Sequence, residues 1–243
     1  MNTSLNTTIS AVIFDLDGTL LNTLEDLTSA TNFVQKNHGI PASSTDEVRR
    51  FVGNGLSNLM VRAMPETKEN DNISAIQNDE QKLELHKKML AEFKVYYNDH
   101  CEEKTKPYEG VPELLQQLKS AGIKTAVVSN KADFAVKKLC KHFFGDLLET
   151  AIGEAEQSGI RKKPAPDMVK KAMDVLGCNP DETVYVGDSE VDLKTAENSH
   201  LPCISVTWGF RSKEHLIDRG ATVIADDIEQ LTSLLVGKNG GEK

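Results

Sequence analysis

Short apolar runs rich in β-branched residues recur along the chain at Ala11–Phe14, Thr125–Val128, Leu147–Ile152, Thr183–Val186, Cys203–Val206 and Thr222–Ile224. A brief apolar run of this kind suits a strand buried on both faces. Amphipathic stretches at Pro112–Ala121, Ala132–Phe143, Pro166–Leu176 and Ile228–Leu235 separate most of them. Strands that alternate with helices are expected to pair in parallel, because each helix carries the chain back across the sheet. Gly122 and Gly177 stand where two of these helices should end, as C-terminal caps.

One interval breaks the alternation. From Thr23 to about Lys106 only helix-like periods occur, interrupted by Gly and Pro. The periods predict a helix near Leu24–His38, a short one around Ala42–Phe51, another over Leu56–Ala63 and a long one near Ser74–His100. The polar run Glu66–Asn72 is expected to be an exposed loop, and Gly237–Lys243 a frayed end. The expected organisation is therefore a core formed by residues 1–22 and 107–243, with a helical insertion at 23–106. A length of 243 residues accommodates both units.

A formal charge of -9, from 37 acidic and 28 basic residues, repels a nucleic-acid backbone, so no nucleic-acid partner is expected. No apolar run approaches the roughly 20 residues of a membrane span, and the leader MNTSLNTTIS lacks the blocks of a signal peptide. Cys101, Cys140, Cys178 and Cys203 are widely spaced and are read as reduced thiols. A cytoplasmic protein without a membrane partner is the expectation. The six histidines show no ligand-like pairing, which leaves a zinc hydrolase unsupported.

Four segments carry candidate chemistry, each at or near the carboxyl end of an expected strand, where sites in parallel sheets form. In Phe14-Asp15-Leu16-Asp17-Gly18-Thr19 two carboxylates lie two residues apart. They share a face if the strand persists, although Asp-Gly pairs also make ordinary turns. Ser129 and Asn130 end the second strand and offer a hydroxyl and backbone N–H groups to phosphate, or simply cap the next helix. Lys162-Lys163-Pro164-Ala165-Pro166 places lysines on a stiffened approach to a helix, or on a solvated basic loop. In Gly187-Asp188-Ser189-Glu190-Val191-Asp192, two acids four apart can serve one cation or merely sit at a helix start. Each segment alone leaves its alternative open.

Taken together and in this order, the four segments resemble the motifs of the haloacid dehalogenase superfamily, and the chain looks like its phosphatase branch. The resemblance implies an α/β fold, a Rossmann-like parallel sheet flanked by helices, with an inserted small α-helical cap domain. It implies Asp15 as nucleophile, Asp17 as general acid and base, and Lys163 as the charge-steadying lysine, with Lys162 the alternative. Ser129 and Asn130 would bind phosphate. Mg²⁺ would be held by Asp15, the backbone carbonyl of Asp17 and Asp188, with Asp192 binding directly or through water.

Phe51-Val52-Gly53-Asn54-Gly55-Leu56 and Pro107-Tyr108-Glu109-Gly110 resemble segments of phosphoglycolate phosphatases, as does Thr207-Trp208-Gly209-Phe210. Gly53 and Asn54 are therefore candidate substrate contacts, although a plain turn also explains them. Arg62 is a candidate for a substrate carboxylate, because a guanidinium can pair with it bidentately. The expected activity is Mg²⁺-dependent hydrolysis of a small phosphomonoester, 2-phosphoglycolate first, by a monomer or homodimer. The alternatives are another small phosphate or pyrophosphate, or a sugar-phosphate mutase.

Overall fold

A computed structural model describes residues 8–68, 71–155 and 159–237. Most of the leader, part of the 66–72 run and the segment after Gly237 lie outside the described residues.

The core is a six-stranded sheet of β1 (Ala11–Phe14), β4 (Lys124–Ala132), β5 (Thr150–Glu154), β6 (Thr183–Gly187), β7 (Cys203–Val206) and β8 (Val223–Ala225). The spatial order is β5-β4-β1-β6-β7-β8 and every pairing is parallel. The chain leaves β1 toward β4 and later returns to its other side at β6, so the order reverses beside β1. The carboxyl ends of β1, β4 and β6 thus border the crevice where such sheets place their sites.

Side-chain alternation divides the core. Val12 and Phe14 face one layer with Leu114, Leu118, Val136, Leu139 and Leu231. These come from α6 (Val111–Ser120), α7 (Asp133–Phe144) and α11 (Ile228–Val236). Ala11 and Ile13 face the other with Met168, Val169 and Ala172 of α8 (Asp167–Leu176) and Ala196 of α9 (Glu190–Asn198). Both faces of β1 are covered, which is why it reads as an uninterrupted apolar run.

The insertion is helical throughout its described part: α1 (Leu24–Asn37), α2 (Thr45–Phe51), α3 (Leu56–Arg62), α4 (Ile73–Ile76) and α5 (Glu80–His100). The chain enters and leaves it through an antiparallel ribbon, β2 (Leu21–Asn22) against β3 (Lys106–Pro107). The Asp26 carboxylate accepts from the backbone N–H groups of Lys104 and Thr105, tying the return strand to the first helix.

The structure departs from the sequence expectations at several places. The long helix foreseen near Ser74–His100 is two helices, because Asp79 caps a fresh start by accepting from Lys82 N–H. The third strand begins at Thr150 rather than Leu147, since Gly145–Leu147 form a 3-10 turn. Strand β4 runs on to Ala132, so Ser129 and Asn130 extend a strand and do not cap α7. A further helix, α10 (Lys213–Asp218), comes after β7. No helix among the described residues is long and apolar enough to cross a membrane.

Candidate active site

Asp15 leaves the end of β1 with its N–H donated to Val186 O of the neighbouring strand, 2.9 Å away. Its Oδ1 lies 2.7 Å from Lys163 Nζ as an ion pair. The same ammonium donates to Asp192 Oδ1 at 2.8 Å and approaches the Tyr185 hydroxyl at 3.3 Å. Lys162 points elsewhere, to Glu154 at 3.3 Å. Of the two lysines, it is Lys163 that meets the acids.

Asp188 directly follows the end of β6, and Asp192 stands in the first turn of α9. Asp188 accepts from Phe210 N at 2.7 Å and from the Thr19 hydroxyl at 3.2 Å. Asp192 accepts at Oδ2 from Ser189 N and Oγ, at 3.1 and 2.6 Å, and at Oδ1 from Lys163 and the Tyr185 hydroxyl. Oxygens of Asp15, Asp188 and Asp192 come within 4.8 Å of one another.

Burial sets the electrostatics. It pushes the Asp15 carboxyl up to about 7, with Lys163 pulling down and Asp192 pushing further up. Burial raises Asp188 well above the carboxylate range, and Asp192 and Asp15 add to it. Burial opposes the Lys163 ammonium, but Asp15 and Asp192 outweigh that and hold it above the ordinary lysine value. Lys163 thus meets two of the three crowded acids, and Arg211 pulls down on the third, Asp188.

This donor set fits a hard divalent cation. Asp15 and Asp188 are buried carboxylates whose oxygens lie close enough to share one ion, and a nearby positive charge would hold both ionised. Asp192 is different, since both its oxygens already accept two donors each. That arrangement suits orienting Lys163 more than ligating an ion.

Asp17 lines the same cavity but its carboxylate is held by other groups. It accepts from the Thr23 hydroxyl at 2.7 Å and from Lys131 Nζ at 3.0 and 3.2 Å. Lys131 is buried, with its ammonium 4.6 Å from the centre of the Tyr97 ring on α5. Lys131 was not among the sequence candidates. The signal existed: in a strand, Lys131 shares a face with Ser129.

A cavity of about 40 Å³ is lined by Asp15, Asp17, Ser129, Asn130, Lys131, Lys163 and Asp188 on the core side. Val52, Gly53, Gly55, Leu56 and Leu59 close it from the insertion, and Phe210 and Arg211 from the loop after β7. Asn130 lines this cavity but its amide is committed. Its Oδ1 accepts from Lys163 N at 2.8 Å, and its Nδ2 donates to Lys163 O and Gly53 O at 3.0 and 3.4 Å.

Asn54 and Arg62 do not line the cavity. Arg62 donates instead to the backbone carbonyls of Phe51 and Asp71, at 2.6 and 3.0 Å, inside the insertion. The arginine that reaches the cavity is Arg211, from a segment where the sequence pattern singled out only its neighbours Thr207–Phe210.

Comparison with known proteins agrees with this geometry. A family model described as haloacid dehalogenase-like hydrolase matches residues 12–206. The chain is 31% identical to a phosphoglycolate phosphatase of Thiobacillus denitrificans, across 93% of this chain and 92% of that one. It is 27% identical to an N-acetylmuramic acid 6-phosphate phosphatase of Pseudomonas aeruginosa, across 93% and 95%. A crystal structure of a phosphoglycolate phosphatase candidate from Lactobacillus delbrueckii subsp. bulgaricus superposes with a TM-score of 0.84 at 38% identity, covering 95% of this chain and 99% of that one.

Proposed function

The chain belongs to the haloacid dehalogenase-like hydrolases, and on that premise we propose that it is a Mg²⁺-dependent phosphatase of small phosphomonoesters, with 2-phosphoglycolate the first candidate. The observation that carries this reading is the buried set of Asp15, Lys163, Asp188 and Asp192 at the carboxyl ends of β1 and β6.

In the proposed reaction a carboxylate oxygen of Asp15 attacks phosphorus, and the bond from phosphorus to the leaving oxygen breaks. Asp17 gives that oxygen its proton. Water then attacks the phosphorus of the aspartyl-phosphate, Asp17 takes a proton from it, and the bond to Asp15 breaks to release phosphate. Splitting the displacement in two lowers each barrier. Lys163 neutralises Asp15 and the incoming phosphoryl oxygens, and Asp192 and Tyr185 hold that lysine in place. Lys131 and Thr23 fix the side chain of Asp17. Ser129 stands in the cavity wall as a phosphate contact. Mg²⁺, held by Asp15, the Asp17 carbonyl and Asp188, would supply positive charge where the phosphoryl oxygens concentrate it.

Residues 23–106 act as a cap in this reading. Val52–Leu56 form the roof of the cavity, and its small volume leaves room for only a few heavy atoms beside the reacting groups. That supports a compact substrate. A second reading, a larger phosphomonoester such as a sugar phosphate, draws support from a neighbouring cavity of about 340 Å³. It shares Leu56 with the first and is bounded by Ser57, Leu90, Lys94, Phe134 and Glu154.

The test is phosphate release from 2-phosphoglycolate, hexose phosphates, N-acetylmuramic acid 6-phosphate, nucleotides and pyrophosphate, with and without Mg²⁺, by the wild type and Asp15→Asn. Magnesium-dependent release that vanishes in the variant is expected. Undiminished release by Asp15→Asn overturns the assignment, and a preference for the larger esters moves the substrate to the second reading.

A further inference from the structure

The loop between β7 and α10 touches three parts of the molecule within four residues. Trp208 Nε1 donates to Thr19 O at 3.1 Å, beside the Asp15–Asp17 turn. Phe210 N donates to Asp188 Oδ2 at 2.7 Å. Arg211 then crosses from the core to the insertion. Its Nε donates to Glu190 Oε2 at 3.1 Å, its Nη1 to Arg49 O at 3.2 Å and its Nη2 to Val52 O at 3.0 Å.

Arg49 and Val52 lie in the last turn and at the cap of α2. Carbonyls at a helix C-terminus have no partner inside the helix and carry its partial negative charge, so a cation is favoured there. The same end is served twice. Arg62 takes Phe51 O from within the insertion, and Arg211 takes Arg49 O and Val52 O from the core. Glu190 aims the guanidinium and also accepts from or pairs with His215 Nε2 at 3.3 Å.

The roof of the cavity begins directly after α2. Gly53 has a φ of +117°, and a Cβ there would stand 3.3 Å from Arg211 Nη2. From the opposite side Asn130 Nδ2 donates to Gly53 O. The loop is thus gripped between a core arginine and a core asparagine, and the arginine is one residue from the amide that holds Asp188.

We propose that Arg211 is a positioning residue that latches the Val52–Gly55 loop over the reacting carboxylates. It does not touch the reacting atoms. It sets how firmly the roof is held, and through Phe210 it joins that closure to the placement of Asp188. The kinetic consequence rests on the phosphatase reading, whereas the latch itself does not.

Two measurements on the full chain keep those apart. Hydrogen exchange in Arg211→Met and Arg211→Lys reads the latch without any turnover. Loss of these charge-assisted bonds is expected to speed exchange in residues 52–56 by roughly tenfold in Arg211→Met, with β1 and β4 unchanged and Arg211→Lys between it and the wild type. Unchanged exchange in that segment, or an increase spread over the whole core, overturns the proposal. Steady-state kinetics with 2-phosphoglycolate and with phenyl phosphate form the second arm. The expected result is KM raised by about tenfold with kcat altered far less, and partial recovery in Arg211→Lys. A fall in kcat with KM unchanged overturns it, because Arg211 would then act on the reaction itself. Absence of wild-type turnover on every ester of the phosphate-release panel condemns the phosphatase reading, and exchange alone then decides the latch.

Discussion

Lys131 holds Asp17. Its ammonium lies 3.0 and 3.2 Å from the two carboxylate oxygens, while its other side rests over the Tyr97 ring. Burial opposes the ammonium, but Asp17 outweighs it and keeps Lys131 above the ordinary lysine value. The contact links β4, the turn after β1 and helix α5 of the insertion.

Replacing this lysine should misplace Asp17 without unfolding the chain. Lys131→Met is expected to lower kcat by about 10- to 100-fold, the size of a small displacement of a reacting group. Turnover at saturating substrate, with circular dichroism as a check on folding, measures it. Tyr97→Phe is expected to change turnover far less than Lys131→Met, because the ring under the ammonium remains and Asp17 keeps its lysine.

Asp192 is a structural demand as well as a chemical one. Asp192→Ala would strand the Lys163 ammonium beside Asp15 alone and leave Ser189 and Tyr185 without their acceptor. Removing one partner of a buried ion pair costs about 3–5 kcal/mol, and a urea unfolding series should show a loss of that order.

Asp15 makes stability depend on pH in a direction opposite to that of a salt-bridged surface acid. Its folded-state pKa of about 7 lies above the ordinary value of 3.8. The unfolded chain therefore gives up this proton first. The contribution is fully present below 3.8 and is lost as pH rises through about 7. Added Mg²⁺ removes the disadvantage of the ionised form. The rise in Tm produced by Mg²⁺ should accordingly be larger at pH 8 than at pH 5.5, and equal rises at both would count against Asp15 as a ligand.

Gly209 leaves space that Asp188 occupies. A Cβ at this position would collide with the Asp188 side chain. Gly209→Ala is expected to cost about 1–3 kcal/mol through overpacking and to raise the Mg²⁺ concentration needed for half-maximal activity. A magnesium titration of phosphate release, alongside thermal unfolding, reads both effects.

The legible features in the sequence were local. Apolar runs such as Ala11–Phe14 and Thr183–Val186 are buried on both faces, so their pattern states their fate without reference to any distant residue. Asp15, Lys163, Asp188 and Asp192 each stand close to a strand end or a helix start, and the structure gathers all four. Parallel pairing then brings together segments more than 170 residues apart in sequence, such as β1 and β6.

Other features depend on which neighbours a side chain meets. Arg62 and Arg211 are indistinguishable as exposed-looking arginines in a sequence, yet one caps a helix within the insertion and the other bridges to it from the core. Asn130 beside Ser129 suggested a phosphate contact, but its amide is spent on Lys163 and Gly53, whose positions only the packed sheet fixes. The break between α4 and α5 turned on whether Asp79 would cap, a choice that helical periodicity does not record.

The strands of the core sheet and the helical interruption were legible in the residues alone, because burial pattern and backbone propensity act over a few residues, whereas the acids stood out only through the ordered set of four segments and its resemblance to a family. Packing alone chose which cation each acid meets, Lys163 for Asp15 and Lys131 for Asp17, and which arginine reaches the roof. Charges choose partners by distances of about 3 Å, and those distances exist only once the sheet and the insertion have packed.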